Sequence, residues 1–195
     1  MKHCKFLAVA IGLIVTMGAG THADDSSGDG VLREVGILSG YSWANLKRQA
    51  DYEMIPVVIR FSLNLNPVAE KIGLAGIGDW TFNVEPYFSQ VTSPSNAQET
   101  GCGLLIRWTH SLLSSNLALY AEGGAGPMYM TLDTEEQSTH FNFIDQIGCG
   151  CRYALNEQWR MELGYRFWHK SNAGIDHPNN GIEGHTVLWG LMRRL

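Results

Sequence analysis

The sequence predicts an all-β chain, an eight-stranded antiparallel transmembrane β-barrel, on three observations. Apolar and polar residues alternate with period two in successive segments, an export signal precedes them, and aromatic residues are spread along the apolar face.

The export signal comes first. Lys2, His3 and Lys5 lead an apolar run from Phe6 to Met17, and small residues follow up to the Thr21-His22-Ala23 exit site, so residues 1–23 read as a signal peptide and 24–195 as the barrel. A single domain of that length buries a sizeable core, and no second domain is called for. A first, less regular strand lies around Val35 to Trp43. The second is the clearest: Ile55, Val57, Ile59, Phe61, Leu63 and Leu65 share one parity, with Arg60, Ser62 and Asn64 on the other.

The remaining six repeat that pattern. Trp80, Phe82, Val84 and Phe88 oppose Asn83, Glu85 and Tyr87, and Leu104, Ile106 and Trp108 oppose Gly103, Arg107 and Thr109. Leu117, Leu119 and Ala121 oppose Tyr120 and Glu122, while Phe141, Phe143 and Ile147 oppose Asn142, Gln146 and Arg152. Met161, Leu163, Tyr165 and Phe167 oppose Glu162, Gly164 and Arg166, and Val187, Trp189 and Leu191 oppose Thr186, Gly190 and Arg194. Connectors such as Asn66-Pro67, Ser93-Pro94-Ser95-Asn96, Ser114-Ser115-Asn116, Leu155-Asn156-Glu157-Gln158 and Pro178-Asn179-Asn180-Gly181 carry turn chemistry.

Composition excludes some partners. With 14 Lys and Arg against 19 Asp and Glu and no basic cluster, nucleic acid is excluded as a partner class. Cys4 lies in the signal, and the three remaining thiols, Cys102, Cys149 and Cys151, cannot all pair with one another. Cys149 and Cys151 flank one Gly, which is neither a zinc nor a redox spacing, so all three read as small strand residues.

Alternation alone does not say which face is outside. A soluble barrel buries its apolar face and wets the charged one, and a membrane barrel does the reverse. The signal, the strand lengths near the roughly ten residues that cross a bilayer with tilt, and the aromatic positions Trp80, Trp108, Tyr165 and Trp189 favour the bacterial outer membrane. Arg60, Glu85, Arg107, Glu122, Glu162 and Arg166 then point into an interior only wide enough for side chains. Opposite charges there plug the barrel as a structural ion network rather than lining a channel.

Strand parity places one hairpin of special interest. With both termini periplasmic the seventh strand, about Arg160 to Ser171, ends at the extracellular rim, and the short turns near Leu112 and Asn156 fall on the periplasmic side. Longer, more polar connectors near Asn96, Thr134 and Asp176 fall outside. His169 and Ser171 continue the face of Leu163, Tyr165 and Phe167, and so face lipid, where two polar side chains carry a desolvation cost.

Those residue types make a nucleophile. A serine hydroxyl attacks well only when an imidazole takes its proton, and a carboxylate that orients the imidazole improves it. His169 and Ser171 lie roughly 7 Å apart along one strand face, and a hairpin centred near Asp176 sets Glu183 opposite His169. Asn172, with the backbone amides of Ala173 and Gly174, is the candidate to hold an oxyanion. Single His, Ser and Glu residues at strand ends also serve as ordinary loop polar groups, and His177 and His185 are near enough to compete as base.

The segment His169-Lys170-Ser171-Asn172-Ala173-Gly174-Ile175, followed by His177-Pro178-Asn179-Asn180-Gly181-Ile182-Glu183, resembles the signature hairpin of the PagL family, outer-membrane lipid A 3-O-deacylases. Phe141-Asn142-Phe143 through Asp145, Ile147 and Gly148 is similar to that family's sixth strand, and Glu122-Gly123-Gly124-Ala125-Gly126 to its fifth. The likeness covers the C-terminal half well and the N-terminal half in pattern only. It implies a serine esterase acting on the 3-linked hydroxyacyl ester of lipid A, with His169 as base, Ser171 as nucleophile, Glu183 as the orienting acid and Asn172 at the oxyanion. It implies lipopolysaccharide and outer-membrane lipid as partners and calls for no metal or other cofactor. One departure is the ending Met192-Arg193-Arg194-Leu195, where such barrels commonly carry a terminal aromatic residue; this bears on insertion rather than chemistry. A non-enzymatic structural or adhesive barrel, a soluble lipid-binding barrel and an outer-membrane phospholipase or acyltransferase stay open on the residues alone. A homodimer also stays open.

Overall fold

A computed structural model describes residues 30–46, 51–74, 76–112 and 116–195; the expected signal peptide and the Ser114-Ser115 turn residues lie outside the described residues. Eight antiparallel strands follow one another in chain order: β1 (Leu32–Ala44), β2 (Tyr52–Asn64), β3 (Asp79–Ser93), β4 (Ala97–Ser111), β5 (Leu117–Met130), β6 (Phe141–Ala154), β7 (Trp159–Ser171) and β8 (Ile182–Arg194). Each pairs with its sequence neighbour, and β8 closes the cylinder on β1 from Glu34↔Arg194 to Ala44↔Gly184. Closure leaves no open sheet edge, so the strand amides and carbonyls pair around the ring and the wall can sit in hydrocarbon.

Period two sorts the side chains as expected. Ile55, Phe88, Leu104, Ile106, Leu119, Ile147, Leu163 and Trp189 are exposed on the outer face, whereas Arg60, Glu85, Arg107, Glu122, Glu162 and Arg166 are buried inside. An outer skin of apolar residues around a charged interior is the inverse of a soluble barrel. Cys102 on β4 and Cys149 and Cys151 on β6 are free thiols, consistent with their reading as small strand residues.

The six interior charges form a closed ring of alternating sign. Arg60 donates to Glu85 (2.6 Å) and Glu162 (2.5 Å). Arg107 donates to Glu162 (2.7 Å) and Glu122 (2.6 Å). Arg166 completes the circuit from Glu122 (2.7 Å) to Glu85 (2.7 Å). Every carboxylate therefore meets at least two guanidiniums, Glu162 a third at Arg152 (3.5 Å), and every guanidinium of the ring two carboxylates, which offsets the desolvation each charge suffers.

The strands flare further than their alternation shows. β3 and β4 run 15 residues each and pair out to Val91↔Ala97, so the connector at Asn96 is a three-residue turn rather than a long loop. Their ends line an apolar plug above the ring, where Tyr52, Met54, Val91, Met128, Met130, Ile144, Trp168 and Ile182 pack together. Within it Lys170 donates to both oxygens of Glu99 (2.6 and 2.8 Å), and the Tyr52 hydroxyl donates to the same carboxylate. We call the rim beside this plug the upper rim; the start of β1 and the end of β8 mark the lower rim. At the lower rim a short helix, α1 (Asn66–Lys71), interrupts the β2–β3 connector, where Asn66-Pro67 reads as a turn. Pro67 sits at its first positions, where a missing N–H costs nothing.

Candidate active site

On β7 the inward positions are Glu162, Gly164, Arg166, Trp168 and Lys170, all buried, and the outward ones are Met161, Leu163, Tyr165, Phe167, His169 and Ser171. The strand alternation therefore carries the imidazole and hydroxyl to the outer skin at the upper rim. β8 begins at Ile182 and pairs with β7 so that Glu183 stands directly across from His169. His169 Nδ1 lies 3.7 Å from Glu183 Oε1, with the two side chains 38% and 68% exposed. That separation is an ion-pair contact, longer than a hydrogen bond. Among the described residues no hydrogen bond joins the Ser171 hydroxyl to the ring. In sites without substrate such links are commonly loose and tighten when substrate binds.

Asn172 and Gly174 stand differently from the sequence expectation. Strand parity turns Asn172 inward, and it is fully buried. Its side-chain amide donates to the Asp176 carbonyl (2.9 Å) and the Ser138 hydroxyl (3.3 Å), and its Oδ1 accepts from the Gly174 N–H (2.9 Å). Both donors are thus consumed in building the turn after β7 instead of facing the hydroxyl. The turn itself places Ala173 at φ 54, in the left-handed region.

A strap holds this hairpin from the side. The β5–β6 loop, residues 131–140, runs against the β7–β8 loop through a bridge between Gln137 and Asn179. Ser138 N–H donates to the Pro178 carbonyl (3.0 Å), and Asn180 N–H donates to the Glu136 carbonyl (2.9 Å). Asn172 N–H closes the unit on Asn179 Oδ1 (3.1 Å).

Two other features escaped sequence reasoning. Asp145 of β6 pairs with His169 across the strand from the side opposite Glu183, and it is exposed on the outer face. The signal was present, because Asp145 shares parity with Phe141, Phe143 and Ile147 and breaks an otherwise apolar row. A groove of about 360 Å³ opens beside Glu183, with Trp43, Leu46 and Phe167 as apolar walls and Asn180 and His185 among its polar groups.

The competing histidines fall elsewhere. His185 Nδ1 is 2.6 Å from the Tyr165 hydroxyl, and its ring packs against Trp43, Tyr165 and Phe167. His177 is exposed in the β7–β8 loop. Among the described residues no group of three or more His, Cys, Asp and Glu side chains converges as a metal site.

Residues 58–192 match the family described as Lipid A 3-O-deacylase (PagL). The chain belongs to the PagL family. A Pseudomonas aeruginosa protein, Lipid A deacylase PagL, is 38% identical over 50 residues, a stretch that spans 26% of this chain and 27% of that relative. The crystal structure of the outer membrane enzyme PagL superposes with a TM-score of 0.61 at 17% identity, covering 80% of this chain and 97% of that one. Neisserial surface protein A superposes with a TM-score of 0.64 at 14% identity, covering 84% and 97%. At such identities the two likenesses speak for the fold alone: an outer-membrane β-barrel. Because two differently named barrels fit this PagL-family chain about equally well, the barrel does not carry the chemistry, and the hairpin residues must be argued on their own.

Proposed function

We propose that this chain is a lipid A 3-O-deacylase, a serine esterase that hydrolyses the 3-linked hydroxyacyl ester of lipid A in the outer leaflet through Ser171, His169 and Glu183. The observation that supports it most is the placement of the imidazole and hydroxyl on the outer face, with Glu183 in register with His169. A polar pair on the skin of a membrane barrel is reached sideways from lipid, so the ester it would cleave is a lipid ester.

In this reading Ser171 Oγ attacks the ester carbonyl while His169 takes its proton. The same imidazole then protonates the sugar alkoxide as it leaves, and an acyl-enzyme remains. Water from the headgroup region adds to the acyl carbonyl, gives its proton to His169, and Ser171 departs with that proton as the free hydroxyacid forms. Glu183 orients the ring and stabilises the imidazolium. Since the Asn172 amide and Gly174 N–H are held within the turn, the Ala173 N–H is the backbone donor of that turn assigned to the oxyanion. The groove beside Glu183, with apolar walls and polar groups at its edge, suits an amphiphile at headgroup depth.

Mass spectrometry of lipid A from cells expressing the chain tests this. Wild type is expected to remove the 3-linked hydroxyacyl group, and Ser171→Ala to leave it in place while the barrel still folds. Equal deacylation by the two would sink the nucleophile assignment, and loss of acyl chains from glycerophospholipids instead would make the protein a phospholipase.

A further inference from the structure

The imidazole of His169 rests on a residue that the reading above leaves without a role. Gly181, the last residue before β8, adopts φ +71, and a Cβ built on it would lie 2.5 Å from His169 Cε1, 3.2 Å from Nε2 and 3.4 Å from Nδ1. The three distances together place the Gly181 backbone against the ring edge that carries both nitrogens. Two independent constraints therefore select glycine here: a left-handed backbone, and contact too close for a methyl group.

Gly181 is itself pinned from outside the hairpin. The residue before it, Asn180, donates its N–H to the Glu136 carbonyl, and Pro178 and Asn179 are bound to Ser138 and Gln137 of the same β5–β6 loop. Asn179 Oδ1 also accepts from the N–H of Asn172, next to the nucleophile. A rigid wall thus stands beside the ring, and its position is set by a loop that supplies none of the three reacting side chains.

We infer that Gly181 is a positioning residue: it fixes the rotamer of the His169 imidazole, and the β5–β6 loop acts on the reaction through it. The inference deepens the esterase reading and rests on it. A methyl group at 181 must push the ring away, and a displacement of about 1 Å at a reacting group costs about 100-fold in rate.

The test uses full-length barrel in detergent, with a fluorophosphonate that phosphonylates serine only when a base activates it, so it does not depend on lipid A. Folding is read separately by the shift in gel mobility between heated and unheated barrel. Gly73→Ala is the matched control, since Gly73 at the lower rim has φ +79 with nothing within 4 Å of a built Cβ, and it carries the backbone strain without the contact. Wild type and Gly73→Ala are expected to label at Ser171 at similar rates, and folded Gly181→Ala about 100-fold more slowly. Asn179→Ala, which removes the acceptor of the Asn172 N–H and leaves Gly181 in place, is expected to give a smaller loss in the same direction. If folded Gly181→Ala labels as fast as Gly73→Ala, the positioning role is overturned while the triad stands. Should Gly181→Ala fail to fold, Asn179→Ala decides, and labelling at the wild-type rate overturns the inference. Wild type that does not label at Ser171 overturns the triad and this inference together. Labelling of wild type without lipid A turnover overturns only the assigned substrate.

Discussion

Two sets of carboxylates in this barrel sit in opposite circumstances. Glu85, Glu122 and Glu162 line the interior, each held by two arginines at 2.5 to 2.7 Å and fully enclosed. Glu183 and Asp145 stand on the outer skin on either side of His169, and Glu183 makes a single contact of 3.7 Å to the ring. The same functional group serves structure where its bonding is saturated and is free for chemistry where it is not. Saturation locks a charge, because displacing any one member of the ring strands its partners without water. In the proposed reaction, slack at the surface leaves Glu183 room to close on an imidazolium as positive charge develops there.

The contrast breaks most sharply at Ser171. If Ser171 is the nucleophile, Ser171→Ala is expected to lower deacylation by about 10⁴-fold or more with unchanged gel mobility, because it removes only a hydroxyl from the outer face at the end of β7. Glu162→Gln should show the reverse. Loss of one charge from the ring is expected to cost about 3 to 5 kcal/mol of stability, read as a lower denaturant midpoint in detergent, with turnover per folded barrel unchanged. A midpoint equal to wild type would mean the ring is not a stabilising unit.

Smaller effects sharpen the comparison. Glu183→Gln is expected to reduce turnover by about 100-fold with little effect on unfolding; a stability loss comparable to that of Glu162→Gln would erase the distinction between the two sets. His185→Phe keeps the aromatic cluster but removes the bond to Tyr165 and one polar group of the groove, so turnover is expected to fall by less than in Glu183→Gln. A collapse of activity in that variant would move the base from His169 to His185.

Much of this is legible in the sequence. The interior ring followed from parity once the signal, strand lengths and aromatics had set the apolar rows outward, since Arg60, Glu85, Arg107, Glu122, Glu162 and Arg166 all fall on the opposite face. The pairing of His169 with Glu183 followed for the same reason, from one hairpin centred near Asp176. What was hidden did not repeat with period two. The upper half of β4, such as Gln98-Glu99-Thr100-Gly101, lacks alternating apolar residues, and only pairing to its neighbours makes it a strand, whereas Gly123-Gly124-Ala125-Gly126 of β5 lacks them too and was placed by the family resemblance. The helix at Asn66–Lys71 is too short for a helical period to register. At the site, the orientation of the Asn172 side chain depends on the loop bonds to Asp176 and Ser138, which lie outside any strand pattern. Gly181 marks a turn in the sequence, but its contact with His169 exists only once the hairpin has closed.

The filled lumen has one more consequence. A salt-linked girdle and a greasy stopper above it fill the bore with side chains. If Ser171 is the nucleophile as proposed, its lipid substrate arrives from the side, through the leaflet, rather than through the bore. On that proposal, turnover is tied to how freely lipids diffuse around the barrel's girth, and stiffening the leaflet is expected to slow it even with every reacting group in place.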